Sequence, residues 1–547
     1  MKLKHSQRSY LLQFVLLILF IVIWVQLFNI QICKSTGLIS QAKRQFFEQS
    51  IILRGDILDR KGDLLVLDII AYDLYNRTKD IKKTSKIKIS SLAKLLKISS
   101  SELTGKLSQK ENTKILSGLN DKIVKKIRKD FNDLAYAKPR VTRMYPHKKM
   151  ASHVIGFVNS DHKGQHGVEY FHENIITKLT GNNKEEEIYP KGTSIVLTID
   201  SVLQEYAEEE LTKAITKSKA ARGTILILSP KTGEIFAWAV YPNFDPNTFY
   251  KEKAIKNWSI TDIYEPGSTF KIITVASALE NMSINPGSTF FDPGYLKVGK
   301  RIIKNHDKNS PKSLNLLELF KQSSNVAAAQ IGLSMKPNVF YDSIKRFMIS
   351  RKTNIDLPGE SGGLLLDYKK WKTIDSATTA FGQGAVSVTP LQLACAVSAI
   401  ANHGIWVQPH ILKGIWEPTF SLINESPYNI KKEQVISPEV ADFISDLLKQ
   451  SVKENLKAMA YIAGEVPGYE VAGKTGTAQK IRQDGKGYLA GHTVASFIGY
   501  FPAGDPQILA LVVVDDPKTL GGWGNTVCGP VFNKVAKLAA KRLLEDI

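Results

Sequence analysis

The distribution of hydrophobic and polar positions divides the 547-residue chain into three parts. Residues 10–33 carry no charge and are almost wholly apolar over 14–25, close to the ~20 residues that a helix needs to cross a bilayer. The nearest charges are three basic residues before this stretch and one closely after it: Lys2, Lys4, Arg8 and Lys34. Because positive charge favours the cytoplasmic side, we expect a cytoplasmic tail over 1–9, a single transmembrane anchor over 10–33 and an extracytoplasmic remainder.

The second part mixes helical and strand patterns. Residues 79–131 are rich in Lys, with Leu and Ile at helical spacing, and are typical of a small module with a solvated charged face. A region of turns and short strands follows, up to about residue 171. We therefore predict a separate α+β domain over 34–190.

Strand and helix patterns alternate in the third part. A strand over 195–200 precedes a helix over 201–216. Further Val- and Ile-rich strands are predicted at 224–228, 235–240, 496–501 and 508–514. Because strands occur at both ends of this region with helices between them, we predict one α+β domain over 191–547 whose sheet combines early and late strands.

Charge and cysteine content exclude several classes of protein. Lys and Arg number 73 against 52 Asp and Glu, but no interleaving of basic and aromatic residues indicates a nucleic-acid partner. The excess is typical of solvated faces and is compatible with anionic lipid or cell-wall polymer. Three cysteines without a C-x-x-C spacing, and no H-E-x-x-H string, predict neither a disulfide framework nor a metal site.

Three short strings contain candidate catalytic residues: Ser268-Thr269-Phe270-Lys271, Ser323-Ser324-Asn325 and Lys474-Thr475-Gly476-Thr477. Each has an ordinary interpretation when taken alone. A serine at a helix start is often an N-cap, and the second string resembles a polar helix start before an apolar run. Their occurrence in the order S-x-x-K, S-x-N, K-T-G at domain-scale spacing favours a single serine acyl-transfer site.

The spacing within these strings suggests a division of labour. Lys271 lies three residues after Ser268, on the same helical face, so its amine is placed beside a hydroxyl that must lose a proton to attack a carbonyl. The helix start also offers free N–H groups to an oxyanion. Lysine acts as a base only when burial and a second cation, here Lys474, lower its pKa. Ser323 is expected to relay protons, and the Asn325 amide to bind a peptide backbone.

The third string also fits a phosphate-binding loop. Residues 468–475 match G-x-x-x-x-G-K-T, which requires a buried strand before it and a long helix after it. The neighbouring sequence is instead rich in glycine, so we favour an edge strand over 471–478. On such a strand Lys474, Thr475 and Thr477 bind a substrate carboxylate, and Gly476 lets the substrate backbone approach closely.

With these residues in view, the chain resembles the class B penicillin-binding proteins, the monofunctional transpeptidases of bacterial peptidoglycan. The resemblance covers nearly the whole chain after the anchor. Besides the three strings it rests on Arg54-Gly55, Asp59-Arg60 and Gly62, on Gly164, Gly167 and Glu169, and on 381–384 with 389–392. Within the class, Ile260-Thr261-Asp262 is more similar to the septal, cell-division type. Lys61 and residues 147–149 depart from the class pattern, which puts partner contacts in doubt rather than chemistry.

The resemblance implies a fold and a mechanism. An elongated non-catalytic pedestal or dimerisation domain precedes a β-lactamase-like transpeptidase domain with a central antiparallel sheet and helices. Ser268 attacks the penultimate D-alanine of a stem peptide, terminal D-alanine leaves, and an amine of a neighbouring stem resolves the acyl-enzyme. Lys271 and Ser323 move protons, and the N–H groups of Ser268 and Thr477 form the oxyanion hole. β-Lactams acylate Ser268, and no cofactor or metal is needed.

The resemblance also implies partners and a location: the inner membrane, a periplasmic catalytic domain, a SEDS-family glycan polymerase and other division proteins. Three alternatives stay open at this point. The same chemistry could serve side-wall elongation, the chain could be a β-lactamase or β-lactam sensor, or it could be a non-catalytic scaffold for division proteins.

Overall fold

The computed structural model describes residues 5–28, 52–77, 85–179, 190–306, 312–417, 422–425, 429–457, 465–482 and 487–545. The first helix, α1, covers His5–Phe28. Among the described residues, no helix is both long and apolar enough to cross a membrane. The tail expected over 1–9 and the anchor expected over 10–33 lie partly outside the described residues, and both stay predictions.

The strands in chain order are β1 Ile57–Leu58, β2 Leu64–Asn76, β3 Lys114–Leu119, β4 Ala135–Met144, β5 Phe157–Val158, β6 Gly164–His166, β7 Ser194–Leu197, β8 Arg222–Leu228, β9 Ile235–Tyr241, β10 Phe290–Asp292, β11 Tyr295–Val298, β12 Arg301–Lys304, β13 Lys312–Leu314, β14 Leu364–Leu365, β15 Val386–Ser387, β16 Ile405–Val407, β17 Leu412–Glu417, β18 Leu422–Glu425, β19 Lys432–Gln434, β20 Ala472–Ile481, β21 Tyr488–Phe501 and β22 Ile508–Asp515.

The α-helices after α1 are α2 Lys86–Leu96, α3 Ser100–Leu107, α4 Asp121–Asp130, α5 Ser152–Ile155, α6 Gly167–Phe171, α7 Glu173–Ile176, α8 Ser201–Ser218, α9 Trp258–Thr261, α10 Lys271–Glu280, α11 Leu316–Gln322, α12 Asn325–Ser334, α13 Pro337–Arg346, α14 Thr373–Thr379, α15 Pro390–Ala401, α16 Pro438–Lys457, α17 Gly524–Val527 and α18 Gly529–Ala540. Short 3₁₀ turns cover Pro246–Lys251, Gly267–Phe270, Tyr368–Lys370 and Leu520–Gly522, and a π-helical turn covers Lys541–Glu545.

Two compact units make up the chain. The first is Met1–Arg54 with Leu179–Gly192, and the second is Gly55–Lys178 with Thr193–Ile547. In the first unit, isolated bridges join Leu53 to Lys191 and Leu179 to Gly192. The second unit holds most of the predicted pedestal together with nearly all of the predicted catalytic domain, whose boundary at 190/191 stays a prediction.

The predicted catalytic domain is built on a five-stranded sheet in the order β20-β21-β22-β8-β9, and every neighbouring pair is antiparallel. One face packs on α8 and α18, and the other on α15 and α16, while α10, α12 and α13 belong to the same apolar core. Successive side chains of β8 and β22 point to opposite faces of the sheet, and both faces are covered by helices. Nearly all of these side chains are therefore buried, and the two strands have continuous apolar sequences. The predicted α+β class and the central antiparallel sheet are confirmed.

A second sheet joins sequence-distant segments. Its order is β18-β17-β7-β1-β2-β3, and β4 also pairs with β2. Strand β7 lies between β1, to which it is parallel, and β17, to which it is antiparallel. The sheet therefore runs from the predicted pedestal into the predicted catalytic domain without a break, and α2, α3 and α4 form a small separate core at its far end with β3.

Candidate active site

The nucleophile lies on a tight turn before α10. Gly267 has φ +60°, and a Cβ there would stand 3.0 Å from the Thr477 carbonyl oxygen and 3.1 Å from Ala478 Cβ. Its N–H donates to the carbonyl of Gly382 at 3.0 Å. A glycine is required because the turn passes between β20 and the 381–384 loop with no room for a side chain. The 3₁₀ turn Gly267–Phe270 then leads directly into α10.

Lys271 is the centre of the hydrogen-bond network. Its side chain is 0% exposed, and Nζ lies 3.1 Å from Ser268 Oγ, 3.2 Å from Ser323 Oγ and 2.8 Å from Asn325 Oδ1. It also donates to the Ser323 carbonyl at 2.6 Å. A neutral amine has two N–H groups, which suffice for the Ser323 carbonyl and Asn325 Oδ1, so its lone pair can accept a hydrogen bond from one of the two hydroxyls. The expected contacts of Lys271 with Ser268 and Ser323 are present.

The second string lies at a junction between two helices. Helix α11 ends at Gln322, Ser323 adopts the left-handed conformation with φ +56°, and α12 starts at Asn325. The cap of α12 is Ser324, whose Oγ accepts the Ala327 N–H at 3.0 Å. The ordinary capping role thus belongs to Ser324, and the left-handed kink leaves Ser323 free to face Lys271.

Strand β20 carries the third string along the edge of the sheet. Lys474 is 1% exposed, and its Nζ lies 3.3 Å from both the carbonyl oxygen and Oγ1 of Thr475. Burial lowers the pKa of Lys474 to about 7. Thr477 Oγ1 accepts the Gly524 N–H at 3.2 Å. Two buried amines are therefore available, and Lys474 is itself close to neutral at physiological pH.

Gly476 has a structural reason to be glycine in addition to the one we predicted. A Cβ there would lie 2.3 Å from Ser496 Oγ and 2.9 Å from Thr269 Cγ2. The missing side chain thus allows β20 to pack on the nucleophile turn. A direct role of Gly476 in substrate binding stays a prediction.

The phosphate-loop interpretation of residues 468–475 is wrong. Lys474 and Thr475 lie in the middle of β20, paired with Ile498 and Phe497 of β21. The described chain after β20 continues into β21 and not into a helix, so no helix N-terminus is present there to bind phosphate.

One cleft of about 400 Å³ collects the accessible members of the site. Its lining residues are Gly267, Ser268, His306, Gln322, Ser323, Asn325, Phe381, Gln383, Thr475, Thr477, Trp523, Gly524, Asn525 and Thr526. Lys271 and Lys474 lie behind this surface, where they contact the lining hydroxyls. The geometry suits a serine that is acylated at the floor of a polar cleft.

Two models of known families match the chain. The penicillin binding protein transpeptidase domain matches residues 223–537, and the penicillin-binding protein dimerisation domain matches residues 52–215. The chain belongs to the class B penicillin-binding proteins.

Relatives of this penicillin-binding protein span nearly its whole length. It is 33% identical over 560 residues to stage V sporulation protein D of Bacillus subtilis, covering 96% of this chain and 84% of that one. It is 31% identical over 562 residues to a peptidoglycan D,D-transpeptidase FtsI homolog of Mesostigma viride, covering 93% and 91%. Penicillin-binding protein 2X of Streptococcus thermophilus shares the fold, with a TM-score of 0.75 at 23% identity over 90% of this chain and 80% of that one.

Sequence reasoning missed several residues around the site of this penicillin-binding protein. Gly524 was not singled out, yet a Cβ there would lie 2.3 Å from the Ser496 carbonyl oxygen and 2.5 Å from that of Gly476. Trp523 packs on His306 with ring centroids 3.8 Å apart, and both line the cleft. The glycine run around Trp523 was the available signal, because such runs mark close backbone approaches. His153 is structural: it is buried, and its ring nitrogens lie 3.1 Å and 2.9 Å from the backbone carbonyl oxygens of Ile255 and Pro242.

Proposed function

We propose that this protein is a peptidoglycan D,D-transpeptidase that cross-links stem peptides at the division septum and is acylated by β-lactams. The observation that carries the proposal is the buried Lys271 amine, 3.1 Å from Ser268 Oγ and 3.2 Å from Ser323 Oγ. The Ser268 hydroxyl can transfer its proton to this amine and regain it later, and the Ser323 hydroxyl can exchange a proton with the same amine.

The reaction follows from these contacts. Ser268 Oγ attacks the carbonyl of the penultimate D-alanine while its proton moves to Lys271. Ser323 then delivers a proton to the departing D-alanine amine and is reprotonated by Lys271, which leaves the acyl-enzyme and a neutral lysine. A neighbouring stem amine attacks the ester and gives up a proton to Lys271. That proton passes to Ser268 Oγ as the ester bond breaks and the new amide forms. The N–H groups of Ser268 and Thr477 hold the oxyanion, and Thr475, Thr477 and Lys474 bind the terminal carboxylate.

The location and partners are part of the proposal. Residues 10–33 anchor the chain in the inner membrane, with the catalytic domain in the periplasm, and the pedestal contacts a SEDS-family glycan polymerase and other division proteins. The FtsI name of one relative and the Ile260-Thr261-Asp262 string support the septal role over side-wall elongation. The name of the Bacillus subtilis relative refers instead to sporulation, so localisation in dividing cells is the test between roles.

Covalent labelling by fluorescent penicillin tests the chemistry. We expect the wild-type protein to form a labelled band, Ser268→Ala to lose it, and Lys474→Ala to label at least tenfold more slowly. Folded wild-type protein that takes no label would overturn the enzyme and favour the non-catalytic scaffold. Label retained by Ser268→Ala would place the nucleophile elsewhere.

A further inference from the structure

A hairpin beside the cleft carries an unusual concentration of positive charge. It consists of β11, β12 and their turn, residues 295–304, called here the basic hairpin. Its sequence contains four cations and no acid, and all four are exposed: Lys297, Lys300, Arg301 and Lys304. None of them has a carboxylate partner among the described residues, although ion pairs are common elsewhere on the described surface.

One face of the basic hairpin fixes it to the wall of the cleft. Val298 and Ile303 are each 7% exposed and share an apolar cluster with Phe381, which lines the cleft. At one end, Asn325 Nδ2 donates to the Lys304 carbonyl at 3.1 Å. The position of the hairpin is therefore set by the same residues that form the active site.

The opposite face is exposed and chemically mixed. Residues directly paired across an antiparallel ladder share a face, and here Tyr295 pairs with Lys304 and Lys297 with Ile302. Tyr295 is 55% exposed and Ile302 is 57% exposed. On this face each cation, Lys297 or Lys304, lies opposite an apolar or aromatic side chain. This composition suits an anionic ligand that also carries apolar groups.

The other end of the basic hairpin carries Arg301, whose charge acts on Tyr488. Burial raises the pKa of the Tyr488 phenol, Glu265 raises it further, and the positive charge of Arg301 opposes this rise. The Tyr488 hydroxyl in turn donates to Glu265 Oε1 at 3.3 Å, three residues before the nucleophile. The hairpin is therefore held to the cleft wall through Asn325 and Phe381, so a molecule bound on the hairpin lies beside the cleft.

We propose that the exposed face of the basic hairpin binds the acceptor stem peptide through its carboxylates. This rests on the proposed function, because only a transpeptidase needs a second peptide. The donor stem is held inside the cleft by its ester to Ser268, so the acceptor must arrive from the rim. A stem peptide ends in a carboxylate and carries alanine methyl groups, which matches the pairing of Lys297 and Lys304 with Ile302 and Tyr295.

Acceptor binding can be measured from the fraction of acyl-enzyme that reacts with an added amine rather than with water. The purified full chain is acylated by a small thioester donor and offered one of two synthetic acceptors. The first is a stem tripeptide with free carboxylates, and the second is the same peptide with every carboxylate amidated. We expect the wild type to use the first at about a tenfold lower concentration, and this preference to shrink as salt rises from 50 to 300 mM.

Charge reversal removes the preference if the hairpin is the site. Lys297→Glu with Lys304→Glu, the two cations of the exposed face, should bring the two acceptors to within about twofold of each other. The matched control is Lys122→Glu with Lys126→Glu, two exposed lysines on α4 in the predicted pedestal, and it should keep the wild-type preference. Thermal unfolding identifies a misfolded variant. Lys297→Gln with Lys304→Gln then gives the milder test, with about half the loss on a logarithmic scale.

The outcomes separate this proposal from the proposed function. A wild type without acceptor preference, or a hairpin variant that keeps it, overturns the acceptor site; in the second case a protein partner is the better occupant. Failure of folded wild type to take penicillin overturns the transpeptidase itself. Ser268→Ala cannot be acylated, so its binding of a fluorescently labelled stem tripeptide with free carboxylates still reports on the hairpin. When the two hairpin charge reversals are added to Ser268→Ala, weaker binding supports the acceptor site and equal binding overturns it.

Discussion

At the scale of single residues, the site contains two buried lysines. Lys271 contacts four oxygens, including three side-chain oxygens from two strings, whereas Lys474 contacts its neighbour Thr475. Burial disfavours the charged form of a lysine. The consequence for stability can be measured at Lys474, whose pKa is lowered to about 7.

Replacing Lys474 with Met should stabilise the protein while slowing penicillin labelling at least tenfold. Unfolded lysine keeps its proton up to about pH 10.4, but folded Lys474 keeps it only up to about 7, so folding releases a proton between these values. The penalty is complete below pH 7 and fades as pH rises towards 10. We expect Lys474→Met to gain up to roughly 4 kcal/mol at pH 6 and almost nothing at pH 10. Thermal unfolding of both proteins at the two pH values measures the difference.

Asn325 should affect catalysis through the charge state of Lys271 as well as its position. Its Oδ1 accepts from Lys271 Nζ at 2.8 Å. Asn325→Ala should lower the acylation rate constant about 10²-fold, because the amine loses a positioning partner. Asn325→Asp keeps an oxygen there but adds a negative charge that favours the ammonium, which cannot accept the Ser268 proton. We therefore expect the Asp variant to be slower than the Ala variant in stopped-flow labelling. A faster Asp variant would mean that position alone matters.

At the scale of elements, three separate segments meet at one buried carboxyl. Glu265 is 4% exposed, and its Oε1 accepts the Gly384 N–H at 2.8 Å and the Tyr488 hydroxyl at 3.3 Å. Burial raises the pKa of this carboxyl, against the hydrogen bonds, which lower it. The nucleophile turn, the 381–384 loop and the start of β21 are thereby held together.

Glu265→Ala should misplace the nucleophile turn. We expect a loss of about 10- to 100-fold in the acylation rate constant, because small displacements of reacting groups have effects of this size. Glu265→Gln retains an oxygen acceptor for Gly384 and Tyr488 and should stay within about threefold of wild type. Equal losses in the two variants would show that the carboxylate charge, and not the tie between elements, is what the site needs.

Local sequence patterns predicted the helices and strands well, but they could not predict which distant segments pack together around the site. The helix expected over 201–216 is Ser201–Ser218, and the edge strand expected over 471–478 is Ala472–Ile481, because periodicity and glycine spacing are local properties. The left-handed Ser323 and the approach of Gly524 to β20 depend on contacts between segments far apart in sequence. No local pattern specifies such contacts, so the motif residues were found and several of their supports were missed.

At the scale of the whole molecule, the predicted pedestal contains a buried ionic network. Arg143 Nε lies 2.6 Å from Glu169 Oε1 and its Nη1 lies 3.2 Å from Asp68 Oδ1, with all three side chains at most 1% exposed. The network joins β4, β2 and α6. Removing one member leaves an uncompensated buried charge.

Glu169→Gln should destabilise the protein without changing its chemistry. We expect a loss of about 3 kcal/mol in the free energy of unfolding, since one partner of a buried ion pair is neutralised. The acylation rate constant of the folded protein should stay within about twofold of wild type. Asp161→Asn, at an exposed acid nearby, serves as the control and should change neither quantity. Denaturant unfolding and penicillin labelling on the same samples make the comparison; a large fall in labelling would couple the pedestal to the site.

The position of β7 between β1 and β17 has a consequence for synthesis. Because β17 begins more than 200 residues after β7 ends, a growing chain presents β7 with one edge open for about 10–40 s at ordinary elongation rates. An open edge is a template for pairing with another chain. The protein thus reaches its native state only when synthesis is well advanced, and until then a nascent chain of this kind depends on being held apart from its neighbours.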